Sequence, residues 1–366
     1  MLPVVGQTLL EYQVRLARAC GGGHIVVLVE QLPAAMLAVF DRLRADGIDI
    51  DVARDARDAA DRIHPDETVL LFIPGLIARK GLVDELVTRG KPTLVTLSDQ
   101  AEHIMFERID ATDRWTGLAL LNGQTVRETA AMLGNWSIGS TLMRNALQAG
   151  AARWRRDTPD GIAIVDNAAQ ADAMSARLVR DSETSKDRAF FTNSIAHPLA
   201  RLVVPHLLRL AVPIDLLIAM PIVLIGAAAL LAMIGWFATG FAVLLFAALV
   251  EAIAAMLLTV AVRESRVITL LSRTKPPAFY VMLLLLGWAI SQAAADWTAI
   301  LLALWGVSIF LLRRPSPVSK FALVPSVESA AFVMLLALLF AAPIAGLIVI
   351  LCHSLTDQVI DRYLSD

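Results

Sequence analysis

The chain has 366 residues, 57% of them hydrophobic and only 18% charged, with a mean hydropathy of +0.64. A soluble globular chain carries about 25% charged residues, so a collagen-like, disordered or ordinary cytosolic composition is excluded, and the net charge of −2 leaves no electrostatic footprint for nucleic acid. The charge is also divided unevenly, because residues 213–366 hold only 16 of the 66 charged side chains, which predicts a soluble region followed by a membrane region.

Met1–Leu10 shows no basic flank leading into a long apolar run and cleavage site, so no secretory signal is expected. Cys20 and Cys352 lie in different halves and suggest neither a disulfide framework nor a metal cluster. Arginine outnumbers lysine 27 to 5, a bias compatible with a GC-rich bacterial genome. From Gly21 to about Gly150, short apolar runs alternate with helix-like stretches. The predicted strands are His24–Glu30, Ile48–Val52, Thr68–Ile73, Thr93–Leu97 and Thr116–Leu121. The predicted helices are Pro33–Ala45, Ala53–Ile63, Leu82–Arg89, Gln124–Leu133 and Ser140–Ala152. This alternation reads as βαβ units and predicts an α/β domain over residues 1–156, Rossmann-like with a mostly parallel sheet.

Residues 157–188 are polar and charged and read as a linker, with a helix at Asn167–Arg180. In residues 189–212, Phe190, Phe191, Ile195, Leu199, Leu202 and Val203 fall near helical spacing, with Arg201 and Arg209 among them. A basic amphipathic helix beside a membrane span reads as interfacial; the other reading is a core-facing helix of the soluble domain.

Residues 216–250 contain no charged side chain, too long a run for one span of about 20 residues and suited to two. Spans near 214–235 and 241–262 follow, split at Trp236–Gly240. Ala278–Leu312 divides at Asp296, and Phe321–Leu355 divides at Ala341–Ala342–Pro343, where proline ends a helix. The expected membrane domain, residues 213–366, is therefore all-α with six spans, or five if the last block is one helix. Arg263, Arg266, Arg273 and Lys275 separate spans 2 and 3, and Arg313, Arg314 and Lys320 separate spans 4 and 5, while the alternate connections carry no Lys or Arg. The positive-inside rule then places the N-terminal domain and the C-terminus in the cytoplasm of a bacterial inner membrane.

Glu251, midway along its span, is the clear intramembrane ionisable residue and a functional candidate by position. Its face otherwise carries Ala254, Ala255 and Leu258, so one reading pairs it within the bundle and the other gives it chemistry. Arg263 and Arg266 are candidates for a phosphate, or simply topology anchors. In the soluble region, Glu107, Arg108, Asp110 and Arg114 either line a cleft or form a solvated salt-bridge patch. No metal site is expected, since the six histidines are scattered without H-x-x-x-H spacing.

An α/β N-terminal domain, a basic juxtamembrane helix, a Val212–Pro213–Ile214 start to span 1 and six spans together resemble the CDP-alcohol phosphatidyltransferases. More narrowly, they resemble fused forms with a nucleotidyltransferase-like domain ahead of the membrane domain. That family carries D-x-x-D-G-x-x-A-R followed by G-x-x-x-D-x-x-x-D, whose four Asp bind divalent metal and the CDP diphosphate. Aligned on this motif, Glu251 takes the place of the first Asp, Ala254 the second, Ala255 the Gly, Leu258 the Ala and Thr259 the Arg. Residues 266–292 hold no acidic residue to supply the other two. The N-terminal domain departs in the same way. The L-x-x-G-x-G-x-R-L loop is replaced by Val29-Glu30-Gln31-Leu32-Pro33, and Ile73-Pro74-Gly75 stands where a metal-binding Asp is expected. Gly21-Gly22-Gly23 precedes a strand, whereas phosphate loops follow one. The resemblance implies a membrane protein of phospholipid synthesis that has lost metal-dependent catalysis and binds membrane lipid or a partner, with a homodimer through the membrane domain as a further expectation. The alternative is an active transferase that moves a phosphatidyl group from a CDP-activated lipid to an alcohol with release of CMP, Glu251 being catalytic and Mg²⁺ or Mn²⁺ its cofactor. A small transporter is a third reading, opposed by the few intramembrane polar groups.

Overall fold

A computed structural model of the chain describes residues 2–132, 138–181, 190–209, 214–263, 266–312 and 326–364. They fall into two units, Met1–Leu178 with Ala261–Arg263, and Val179–Val260 with Glu264–Asp366.

The first unit opens with a short hairpin, Pro3–Val4 against Gln7–Thr8, and the helix Leu9–Ala19. Thr8 and Glu11 form a capping box at its start, each side chain accepting from the other's backbone N–H. The expected strands appear as Ile25–Leu28, Ile50–Ala53, Thr68–Phe72, Thr93–Ser98 and Asp113–Asn122. The expectation of a mostly parallel sheet is corrected. Asp113–Asn122 lies between Thr68–Phe72 and Thr93–Ser98 and is antiparallel to both. Ala152–Arg156 is parallel to Thr93–Ser98, and Ile25–Leu28 pairs in parallel with Ile50–Ala53 as a separate ribbon. The physical reason lies in residues 99–112, which hold one short 3₁₀ turn and the strand Glu107–Arg108. A parallel return needs a crossover of a dozen or more residues, usually built around a helix, and this stretch contains none.

The unit also runs past the boundary expected at residue 156. Ile162–Ile164 pairs with Leu76–Ala78, and the backbone N–H of Val5 donates to Ser175 Oγ in the helix Ala168–Asp181 at 3.1 Å. Residues 157–178, expected as linker, are thus part of the α/β unit. Two apolar clusters hold it together: Leu94, Trp115, Leu121, Leu142 and Met143 between sheet and helices, and Val14, Phe40, Leu43 and Ile50 around the separate ribbon.

The second unit is helical. Residues 190–209 contain a π-turn, Thr192–Ala196, and the helix His197–Arg209. Six apolar helices then form three hairpins: Ile214–Met233 with Phe237–Val260, Arg266–Ala294 with Thr298–Leu312, and Val327–Leu339 with Pro343–Leu364. All three turns close alike. Trp236 N–H donates to Leu231 O, Asp296 N–H to Ser291 O, and Ala342 N–H to Ala337 O, at 2.8–3.1 Å. The preceding residues, Gly235, Ala295 and Ala341, have φ of 88°, 54° and 54°. This six-to-one bond after a left-handed residue is the Schellman stop, and it falls where the sequence breaks each apolar block.

Three helices are long and apolar enough to cross a membrane, over Leu216–Met233, Phe237–Val260 and Arg273–Ala294. Thr298–Leu312 and Val327–Leu339 have 15 and 13 residues, which at about 1.5 Å per residue reach only ~22 and ~20 Å of a hydrocarbon core of about 30 Å. The apolar blocks do not halve evenly, because the second helix of the middle pair is short while its first runs back to Arg266 through Pro276 and Pro277. Arg313, Arg314 and Lys320 lie outside the described residues.

A glycine sits at a close approach in each hairpin. A Cβ on Gly287 would stand 2.8 Å from Ala303 Cβ and 3.0 Å from the Ala299 carbonyl oxygen, so the two backbones meet only because position 287 has no side chain. Gly287→Leu is expected to cost about 1–3 kcal/mol as an overpacking change, read as a lower Tm in detergent. Gly226→Leu, where an added Cβ meets nothing within 4 Å, serves as the neutral control, and equal Tm values for the two variants would refute the close approach.

Candidate functional site

One polar cluster lies inside the helical unit, and each hairpin supplies one member. Glu251 comes from Phe237–Val260, Lys275 from Arg266–Ala294 and Glu328 from the first turn of Val327–Leu339. Lys275 Nζ lies 2.7 Å from Glu251 Oε2 and 2.6 Å from Glu328 Oε1. The three side chains are 12%, 10% and 16% exposed respectively, so the cluster is largely removed from solvent.

Local sequence explains why these groups meet. Pro276 and Pro277 bring no amide hydrogen to the Ser272 and Arg273 carbonyls one turn back, and just before them Thr274 Oγ donates to Leu271 O at 3.1 Å. Lys275 sits directly before this interruption of the helix ladder. Glu328 lies in a first turn, where unpaired amides favour negative charge, and Ser326 caps that turn by accepting from Ser329 N–H at 3.0 Å. Glu251 is held among the buried Ala247, Ala248 and Ala254, small side chains that let neighbouring helices close around it.

One ammonium between two carboxylates from different helices is a clamp. A divalent cation such as Mg²⁺ needs about six oxygen ligands, whereas here two carboxylates already face a resident positive charge. Among the described residues no group of three or more His, Cys, Asp or Glu side chains is arranged to hold a metal ion. Lys275 and Glu328 were not candidates from sequence. Lys275 reads as one of a run of basic topology anchors and Glu328 as a charge near a span end. The available signal was a lysine beside Pro-Pro within reach of an apolar block, with acidic residues in two other blocks to receive it.

Arg263 follows Val262, which has φ 52°, and is half-buried. Arg266 opens its helix, with its side chain outside the described residues.

In the α/β unit, Glu107, Arg108, Asp110 and Arg114 gather around one loop and bond mainly to its other charged groups. Asp99 takes Arg108 at 2.8 Å and Arg114 at 2.6 Å. Arg153 bridges Asp110 at 2.5 Å and Asp113 at 3.2 Å, while Ser140 Oγ donates to Glu107 at 2.7 Å. The Thr112 backbone N–H, the Thr112 hydroxyl and Arg153 hold the Asp110 carboxyl well below the usual range. Alternation along Ala152–Arg156 turns Arg153 and Arg155 to this network, and Trp154 to Arg89, whose guanidinium lies 4.2 Å from the ring centroid. Burial, with the Asp84 carboxylate beside it, pushes the Cys20 thiol up to about 12, too high for a nucleophile at neutral pH.

No family model matches the chain, and no curated protein matches it either. The geometry thus carries the class: an α/β unit joined to an apolar helical unit compatible with a membrane protein, whose central polar feature is an ion clamp.

Removing the ammonium alone leaves two buried carboxylates facing each other. Lys275→Met is expected to lose about 3–5 kcal/mol, the usual penalty for orphaning a buried charge. Adding Glu251→Gln and Glu328→Gln to it should restore most of that loss. Unfolding in a denaturing-detergent titration checks both, and a neutral single variant or an unrescued triple would overturn the clamp.

Proposed function

We propose that this chain is a six-span inner-membrane protein that binds phospholipid and performs no metal-assisted transfer. The carrying observation is the Lys275 ammonium between Glu251 and Glu328. In the resemblance noted above, Glu251 stands where the first metal-binding Asp is expected. Its carboxylate instead meets a fixed positive charge, and Ala254 takes the place of the second Asp. A metal that neutralises a diphosphate needs open oxygen ligands, and this donor set does not fit one.

Lipid binding rests on charge placement. Arg263, Arg266 and Arg273 cluster at the connection between the first two hairpins, away from the hairpin turns, where cationic side chains meet lipid phosphates. The turn ends carry exposed Trp236, Trp297 and Phe340 and no Lys or Arg, the composition of an aromatic interface facing away from the cytoplasm. Six spans place the α/β unit and the C-terminus on the cytoplasmic side, with the two short helices completed by flanking residues or by local thinning of the bilayer.

Four measurements test this. Purified protein given a CDP-activated lipid, a polyol acceptor and Mg²⁺ or Mn²⁺ should release no CMP, its Tm should be the same with Mn²⁺ as with chelator, and mass spectrometry should find co-purified anionic phospholipid. CMP release, or a metal-dependent Tm lost in Glu251→Gln, would establish the transferase instead. Reporters fused at Arg314 and at Asp366 should both signal cytoplasm, and a periplasmic signal at Asp366 alone would mean five spans.

A further inference from the structure

Residues 190–209 carry apolar side chains on two sides, and only one side is covered. Phe191, Ala196, Ala200 and Val204 are buried. They face the bundle, where the segment packs on Phe237–Val260, the Phe191 ring lies 6.0 Å from Phe332, and Phe191 N–H donates to Ser329 Oγ at 3.3 Å. The π-turn at Thr192–Ala196 inserts an extra residue, turning what precedes it by about 100° relative to an unbroken α-helix. Phe191 thereby reaches the core while Phe190 stays outside. Away from the core, Phe190, Leu199, Leu202 and Val203 are 44%, 40%, 67% and 37% exposed.

A helix whose core face is already filled has no packing reason for a second apolar stripe, which in water would be a liability. Charge names what covers it. Residues 190–209 contain Arg201 and Arg209 and no acidic side chain. The next helix also leaves apolar side chains uncovered, with Leu216, Val223 and Leu230 62%, 70% and 61% exposed. We propose that residues 190–209 lie in the headgroup layer of the membrane that holds the bundle, with Leu199, Leu202 and Val203 inserted among the acyl chains and the net positive charge of the segment drawn to anionic lipid phosphates. Such helices sink about 5–10 Å into the boundary, and basic residues strengthen their hold on an anionic surface.

The inference rests on the membrane reading above, and the test separates the two. Full-length protein carrying Cys352→Ser receives a single fluorophore at Leu202→Cys, or at Val223→Cys as control, the buried Cys20 being retained. Each is placed in nanodiscs of mixed anionic and zwitterionic phospholipid with shallow lipid-borne, deep lipid-borne or aqueous quenchers. Position 202 should respond most to the shallow quencher, and that response should fall by roughly two-fold or more in purely zwitterionic discs. Quenching at 202 by the aqueous reagent alone, by none of the three, or most strongly by the deep reagent would overturn the proposal, showing water, protein or the bilayer interior at that face. An unchanged response in zwitterionic discs would overturn the anionic preference. If Val223 itself escapes both lipid quenchers, the membrane reading fails instead.

Discussion

A lysine ammonium bonded to carboxylates from two other helices governs the helical unit, because the remaining contacts there are weakly selective. Between membrane helices, lipid tails compete with apolar side chains on nearly equal terms, so packing of Ala, Leu and Val does not by itself decide which helices become neighbours. Within a hairpin the chain decides, through a short Schellman turn and a glycine at the crossing. Between hairpins, Lys275 reaches both Glu251 and Glu328, and its ionic bonds have direction and sign where dispersion has neither.

The α/β unit carries a larger charge network at the rim of its mixed sheet. Its pairs run from half-exposed ones such as Arg153 with Asp110, which contribute little singly, to Arg114 with Asp99, as sheltered as the clamp. Four arginines and three aspartates are knitted across residues 99–114 and the strand Ala152–Arg156. A network of this kind fixes the loop after Thr93–Ser98, which in a nucleotide-binding sheet would stay open to ligand. The same loop holds no helix to carry a crossover, and Asp113–Asn122 accordingly returns antiparallel.

Among the described residues, five of the six strands of four residues or more, and the three apolar breaks, were legible because hydrophobic runs and turn residues are local signals; Ala152–Arg156, where arginine alternates with Ala and Trp, was not. Strand direction was not, since it depends on connection geometry that residues 99–112 reveal only once their lack of helix is known. Leu9–Ala19 escaped notice although Thr8 and Glu11 spell its capping box. Of the central cluster, sequence singled out Glu251 from its charge in an apolar run. Its partners were hidden by the same rule, because Lys275 among other basic residues, and Glu328 at a block's edge, each fit a duller role. Counting charges along the chain cannot show that three of them converge from positions 24 and 53 residues apart.

The distribution of the cluster over three hairpins also orders biogenesis. A ribosome delivers the hairpins one after another, and Glu251 enters the membrane before its lysine partner has been made. When Lys275 arrives, the first two hairpins acquire a neutral pair and a reason to stay together. The third brings Glu328 to a site already holding opposite charges, and completes it. A chain cut short after the first hairpin carries its carboxylate in an apolar helix without that lysine.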